Sequence, residues 1–241
     1  MRSIAVIPAR GNSKRVPGKN KKLIAGQPMV MWAMIAAYEA NIFDEIYLTS
    51  EDPEILDMAF SGITPFERSE RLSGDLVPQW EPVAEVVRHT NLAELGFVDA
   101  VCVVTSGCPL TTPGLLRETA VAFEQSDKRQ LATVIPARHG WMVSEAVFGN
   151  PANGLIQKLD YGNLQSTEFP PLYIPSGNVR WWKYKDVLDS DPILVTGTCN
   201  ADTYGYLIPE DLAVDVNTPF DFKIAELLLN QRRASEAVIY S

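Results

Sequence analysis

Short apolar stretches recur along this chain, each followed by a segment with helical spacing. That alternation restricts the fold more than any other feature. Ile4 to Ala9, Glu45 to Thr49, Ala100 to Val104 and Leu131 to Pro136 read as strands, being short, apolar and bounded by turn-forming residues. Between them, Pro28 to Ala40 is apolar nearly all round, which suits a helix buried against a sheet. Asp52-Pro53 opens a short helix, Glu81 to Leu95 carries a helical apolar stripe, and Pro113 to Phe123 reads as a further helix. Strands and helices in this order predict βαβ units, and hence a Rossmann-like three-layer α/β/α fold on a mostly parallel sheet. All 241 residues are expected in one domain. Residues 140–180 break the pattern, being rich in Gly, Pro, Asn and aromatics, and read as an insertion of hairpins and loops. Asn178 to Lys183 and Tyr204 to Ile208 are further expected strands. Thr218 is the expected N-cap of a last helix with Pro219 at its first position.

Charge is divided as unevenly as hydropathy. The first 38 residues hold seven cations and no acid, whereas the chain as a whole carries −9. A strongly acidic chain is a poor general nucleic-acid binder, because neutralising phosphates needs a basic face. One dense basic segment in such a chain points instead to a small anion. The segment is the loop after the first strand, Pro8-Ala9-Arg10-Gly11-Asn12-Ser13-Lys14-Arg15-Val16-Pro17-Gly18-Lys19-Asn20. In an open parallel sheet, ligands bind beyond the carboxyl ends of the strands, so this loop occupies a favoured place. It is neither a Walker A loop nor a GxGxxG fingerprint. Its small residues and cations suit a nucleoside triphosphate, while composition alone leaves a solvated basic loop equally open. Cys102, Cys108 and Cys199 have no metal-ligand spacing and point to reduced thiols in a cytoplasmic protein. No signal-peptide core or membrane-length apolar run is expected.

The stretch IAVIPARGNSKRVPGKN resembles the signature of the CTP-dependent acid-sugar cytidylyltransferases, in particular the acylneuraminate group, which makes CMP-sialic, CMP-pseudaminic and CMP-legionaminic acids. The similarity continues through PMVMWAMIAAYEANIFDEIYLTSEDPEI, FERSERLSGD and VDVNTPFDFKIAE, in order over most of the chain. It implies transfer of a cytidylyl group from CTP to an acid sugar with release of pyrophosphate. It also implies Mg²⁺ as cofactor and a homodimer in which residues 140–180 reach the partner. On the matching positions, Arg10, Lys19 and Asn20 would hold the nucleotide. Gly11, Asn12 and Ser13 would donate to the triphosphate, Lys14 would stabilise the leaving pyrophosphate, and Arg68 would lie near the nucleotide.

Asp215 and Asn217 are two apart in an extended stretch, so both side chains could face one ion. The family pattern usually has Asp at the second position. Asn supplies a neutral oxygen, which hard magnesium favours less, and a helix-cap role is the alternative for both residues. The segment Thr105 to Thr111 also departs from the family pattern. Arg138, Lys158 and Arg180 are the candidates for the sugar carboxylate, because cationic donors suit that group. His139, Trp181 and Trp182 are expected to be structural. The rival readings are a CMP-3-deoxy-manno-octulosonate or other NDP-sugar enzyme, and a nucleotide-binding homologue with impaired catalysis.

Overall fold

Ile4, Ala5, Val6 and Ile7 are fully buried, so the strand they form is covered on both faces. In the computed structural model this strand, β1 (Ser3–Pro8), lies inside a seven-stranded sheet, with strands on both sides. The structure describes residues 1–74, 77–90, 97–137, 147–148, 157–158, 173–189 and 199–239. In chain order β1 is followed by a small hairpin, β2 (Leu23–Ile24) and β3 (Gln27–Pro28), then α1 (Met29–Ala40), β4 (Glu45–Ser50), α2 (Pro53–Leu56) and β5 (Thr64–Glu67). Next come α3 (Trp80–His89), β6 (Ala100–Val104), α4 (Pro113–Gln125), β7 (Gln130–Pro136) and a second small hairpin, β8 (Val147–Phe148) with β9 (Gln157–Lys158). The described chain ends with β10 (Tyr173–Lys183), α5 (Tyr184–Leu188), β11 (Thr203–Leu207) and α6 (Pro219–Ile239).

The order across the sheet is β11-β7-β10-β6-β1-β4-β5. Every pairing is parallel except those of β10, which runs antiparallel to both β6 and β7. Alternation along β1 divides the core into two layers. Ala5 and Ile7 pack with α1 and α4 through Ala33, Ala37, Leu116 and Phe123. Ile4 and Val6 pack with α3 and α5 through Val83, Val87, Tyr184 and Val187. The three-layer α/β/α expectation is met. Trp181 and Trp182 alternate in the same way and enter opposite layers of the core. Trp181 stacks between Phe43 and Phe123 and donates its indole N–H to Thr119 Oγ1 at 3.1 Å.

Besides the β2–β3 hairpin and α5, which the sequence pattern does not announce, and α3, which ends at His89 with Thr90 in an extended cap conformation instead of running on to Leu95, two strands differ from the sequence expectations. The edge strand β5 was not anticipated, because TPFE is largely exposed and lacks a buried face. β10 begins at Tyr173, inside the expected insertion, rather than at Asn178. Pro175 and Gly177 read as loop residues, and the strand does deform there. Pro175 pairs with Val134 and Arg180 with Ala132, so four residues of β10 lie opposite Thr133 alone. Gly177 takes φ +84° within this bulge, a conformation that L side chains resist. Thr133 Oγ1 completes the local bonding by accepting from Val179 N–H and from Ser176 Oγ. The rest of residues 140–180 is outside the described residues apart from the β8–β9 hairpin.

Candidate active site

β1 lies between β4 on one side and β6 on the other, so the loops leaving β1 and β6 diverge at a topological switch point. A cavity of about 380 Å³ opens there. Its wall gathers Arg10, Ser13, Arg15, Lys19 and Asn20 from the first loop, and Thr105, Ser106 and Gly107 from the loop after β6. Arg68, Ser73 and Gln79 close one side; Asp215 and Asn217, just before α6, close the other. Of the residues singled out in the sequence, Arg10, Ser13, Lys19, Asn20, Arg68, Asp215 and Asn217 therefore meet in one place. Gly11, Asn12 and Lys14 do not line it. The Gly11 amide donates instead to Glu51 Oε1 at 2.8 Å, while Asn12 and Lys14 are exposed.

The basic loop is held by contacts far along the chain. Val16 packs with Ile24, Met29, Val216, Phe222 and Leu229, which fixes the loop against α6. Asn20 is 3% exposed, and its side-chain N–H donates to the Arg10 carbonyl at 2.8 Å, bracing the turn from within. Lys19 Nζ donates to the Val216 carbonyl at 2.7 Å. Burial pulls the Lys19 pKa below 10.5, with Asp215 acting in the opposite direction. Arg68 is 6% exposed; it donates to the Thr49 carbonyl at 2.9 Å and pairs with Glu51 at 3.3 Å. Its pKa is likewise lowered by burial.

Apart from Arg68 Nε, whose contact with Glu51 is an ion pair without a hydrogen bond, three buried polar atoms of this wall, Ser13 Oγ, Asn20 Oδ1 and Ser73 Oγ, make no hydrogen bond within the protein. Buried polar atoms are normally satisfied, so three orphans around one cavity mark it as built for a polar ligand. Asp215 and Asn217 form a coupled pair. Asn217 Nδ2 donates to Asp215 Oδ2 at 2.7 Å, and Asn217 Oδ1 accepts from Arg15 Nη2 at 2.7 Å. These opposite partners fix the amide's orientation. Gly107 makes the close approach possible: a Cβ there would lie 2.8 Å from Asp215 Oδ1 and 3.2 Å from Lys19 Nζ. Asn217 and Thr218 also belong to a cap, since Asp221 Oδ2 accepts from both amides and Thr218 Oγ1 accepts from Asp221 N–H.

A second cavity, of about 200 Å³, shares Gln79, Thr105 and Asp215 with the first. Its other walls are the β10 bulge, Thr133, Trp182 and Arg180. Arg180 was a sequence candidate and lies here, with its guanidinium over Trp182 and a 3.4 Å bond to Gln130 Oε1. Arg138, His139 and the side chain of Lys158 lie outside the described residues. Cys108 is buried beside the site, and burial raises its thiol pKa well above 9.0, so it remains a protonated small apolar residue. Among the described residues, no group of three or more His, Cys, Asp or Glu converges as a metal cage. Nor is any described helix long and apolar enough to cross a membrane.

Arg15, Glu51, Ser73 and Gln79 were not singled out in the sequence. Arg15 is one cation of the basic loop, and its local sequence does not distinguish it from its neighbours. The others become visible only through contacts between distant segments.

A family model described as "Cytidylyltransferase" matches residues 4–139, which contain both halves of the switch point. The chain is 26% identical over 232 residues to the pseudaminic acid cytidylyltransferase of Campylobacter jejuni, covering 95% of this chain and 96% of that protein. It is 26% identical over 243 residues to the CMP-N,N'-diacetyllegionaminic acid synthase of Legionella pneumophila, covering 95% and 97%. The 3-deoxy-manno-octulosonate cytidylyltransferase of Synechococcus elongatus is 34% identical over 137 residues, covering 56% and 52%. Among solved structures, a CMP:2-keto-3-deoxy-manno-octonic acid synthetase complexed with CTP superposes with a TM-score of 0.69 at 16% identity, covering 96% of this chain and 100% of that one. A matched core holding the loops after β1 and β6, and relatives aligned nearly end to end, place the chain in the cytidylyltransferase family of nucleotidyltransferases.

Proposed function

We propose that the enzyme transfers the cytidylyl group of CTP to a nonulosonic acid, giving a CMP-sugar and pyrophosphate. The observation that carries this reading is the pair of adjoining cavities meeting at Asp215: one is lined by cations and orphaned polar atoms, the other holds Arg180. In this reading the triphosphate lies along Arg10, Arg15 and Lys19. Ser13, Asn20 and Ser73 offer hydrogen bonds to the nucleoside. The acid sugar enters the second cavity, where the Arg180 guanidinium suits its carboxylate. Relatives named for pseudaminic and legionaminic acids align over 95% of the chain, whereas the octulosonate relative aligns over 56%, which favours a nonulosonate.

The sugar's anomeric oxygen forms a bond to the α-phosphorus as the bond to the bridging oxygen breaks. The hydroxyl proton is released, and pyrophosphate leaves with the bonding electrons. Fixed cations neutralise the charge that accumulates on the departing oxygens, and the shared wall holds both reactants for in-line attack.

Magnesium fits this donor set through one protein carboxylate. Asp215 lies between the two cavities, while the Asn217 oxygen is engaged by Arg15. That matches the habit of Mg²⁺ to take one or two carboxylates and complete its shell with substrate phosphates and water. When bound, the ion would supply charge neutralisation at the phosphates and lower the pKa of the attacking hydroxyl. We extend the proposal to a cytoplasmic homodimer, as the family resemblance implies; sedimentation analysis tests the dimer.

Pyrophosphate release, measured with CTP, Mg²⁺ and a panel of nonulosonic acids alongside 3-deoxy-manno-octulosonate, tests the function. Turnover with at least one nonulosonic acid, and preference for CTP over UTP, is expected. CTP binding without turnover of any acid sugar would overturn it.

A further inference from the structure

Glu51 does not line the nucleotide cavity, yet each of its carboxylate oxygens holds a different wall of it. Oε1 accepts the Gly11 amide of the basic loop at 2.8 Å. Oε2 lies 3.3 Å from Arg68 Nε, whose side chain is 5% exposed. Arg68 is tied to the same strand end through Nη2 to the Thr49 carbonyl and through its own amide to the Ser50 carbonyl. Asp52 and Glu54 extend the arrangement. Both pair with Lys21 at the far end of the loop, at 2.9 and 2.7 Å. Asp52 also sits so close to Gly11 that a Cβ there would come within 2.6 Å of its Oδ2. The acidic end of β4 thus grips the basic loop at both ends.

A carboxylate behind the wall of a triphosphate site opposes the ligand's charge, so electrostatics alone would select against it. We propose that Glu51 is a positioning residue for cytidylyl transfer. It sets the spacing between the basic loop and Arg68, and this preorganisation outweighs its repulsion of the nucleotide. The inference rests on the CTP reading of the first cavity.

The sign of the effect separates this role from a merely structural or electrostatic one. In Glu51→Gln the carbonyl oxygen can keep the Gly11 hydrogen bond, but the neutral amide no longer forms an ion pair with Arg68. If Glu51 acted only as a charge, this variant would bind CTP more tightly. As a positioning residue it should bind CTP about tenfold more weakly, in line with loss of the Arg68 ion pair and of the charge behind the Gly11 hydrogen bond. The KM for the acid sugar should stay unchanged, because Arg180 and the β10 bulge are untouched.

The experiment measures CTP affinity by titration calorimetry and both KM values by pyrophosphate release, for the wild type and Glu51→Gln, with thermal melting as the folding control. Should Glu51→Gln fail to fold, Glu51→Asp, which keeps the charge but shortens the reach, is measured in the same way with the same expectation. Weaker CTP binding with an unaltered sugar KM supports the proposal. Unchanged or tighter CTP binding in a folded variant overturns it, as does an equal rise in both KM values. Failure of the wild type to bind CTP would instead overturn the underlying functional reading.

Discussion

Asn217 Nδ2 donates to Asp215 Oδ2 at 2.7 Å while Asn217 Oδ1 accepts from Arg15, so a single neutral amide joins the carboxylate to a cation of the basic loop. A carboxylate at 217 could keep Arg15, but it would face Asp215 with like charge. Asn217→Asp is therefore expected to lower the melting temperature in the absence of metal and to regain stability as Mg²⁺ is added, with tighter Mg²⁺ binding than the wild type. Melting curves over a Mg²⁺ titration check this. An unchanged metal-free melting temperature would count against a stabilising role for this amide bridge.

Lys19 gives a prediction with two opposite signs. Its folded pKa lies below 10.5 because burial penalises the charged form. As pH rises through that lowered value, the folded state loses its proton before the unfolded state does, so the Lys19 contribution to stability increases with pH in that window. Affinity for CTP should fall over the same window, because the ammonium is lost. Lys19→Ala should remove this part of both profiles and reduce turnover roughly 10²–10³-fold, the range found when one preorganised charge-stabilising donor is deleted. Calorimetric CTP titrations and urea unfolding across alkaline pH would show it.

Gly11→Ala tests how tightly the loop lies against the end of β4. The added methyl would come within 2.7 Å of Asp52 Cβ as well as meeting its carboxylate. Either Asp52 leaves its cap on the Glu54 amide and its pairing with Lys21, or the loop moves. A loss of about 1–3 kcal/mol is expected, as for other overpacked sites, measured by urea denaturation. A higher KM for CTP should accompany it.

Arg180→Lys addresses the sugar end. Lysine keeps the charge but loses the planar fork that suits a carboxylate. The KM for the acid sugar should rise roughly tenfold to a hundredfold, as for one lost charged hydrogen bond, while the KM for CTP is unchanged. Steady-state kinetics with each substrate varied in turn decide the matter.

The central strands and their helices were legible because Ile4–Ile7, Ala100–Val104 and the stripe of α3 bury the residues that their spacing predicts. β5 and the first half of β10 were not, since an exposed edge strand and a bulged strand containing Pro175 and Gly177 lack a regular period. In the site, Arg10, Lys19 and Asn20 share one short loop that carries its own pattern. Arg15 needs Asn217, which is 202 residues away, before its place is evident. Glu51 needs both Gly11 and Arg68. Local chemistry shows in a linear sequence, whereas partnerships between loops appear only once the sheet has brought them together.

Packing of the last helix on the first loop also dictates when the enzyme can begin to work during its own synthesis. Val16 rests on Phe222 and Leu229, Lys19 reaches the Val216 carbonyl, and Arg233 bonds to the Ala25 carbonyl across 208 residues. The sheet strands from β1 to β6 can pair while the ribosome is still translating the chain. The loop that would receive the triphosphate cannot settle until α6 has emerged. A nascent chain halted before residue 216 would carry the signature residues without a formed anion site.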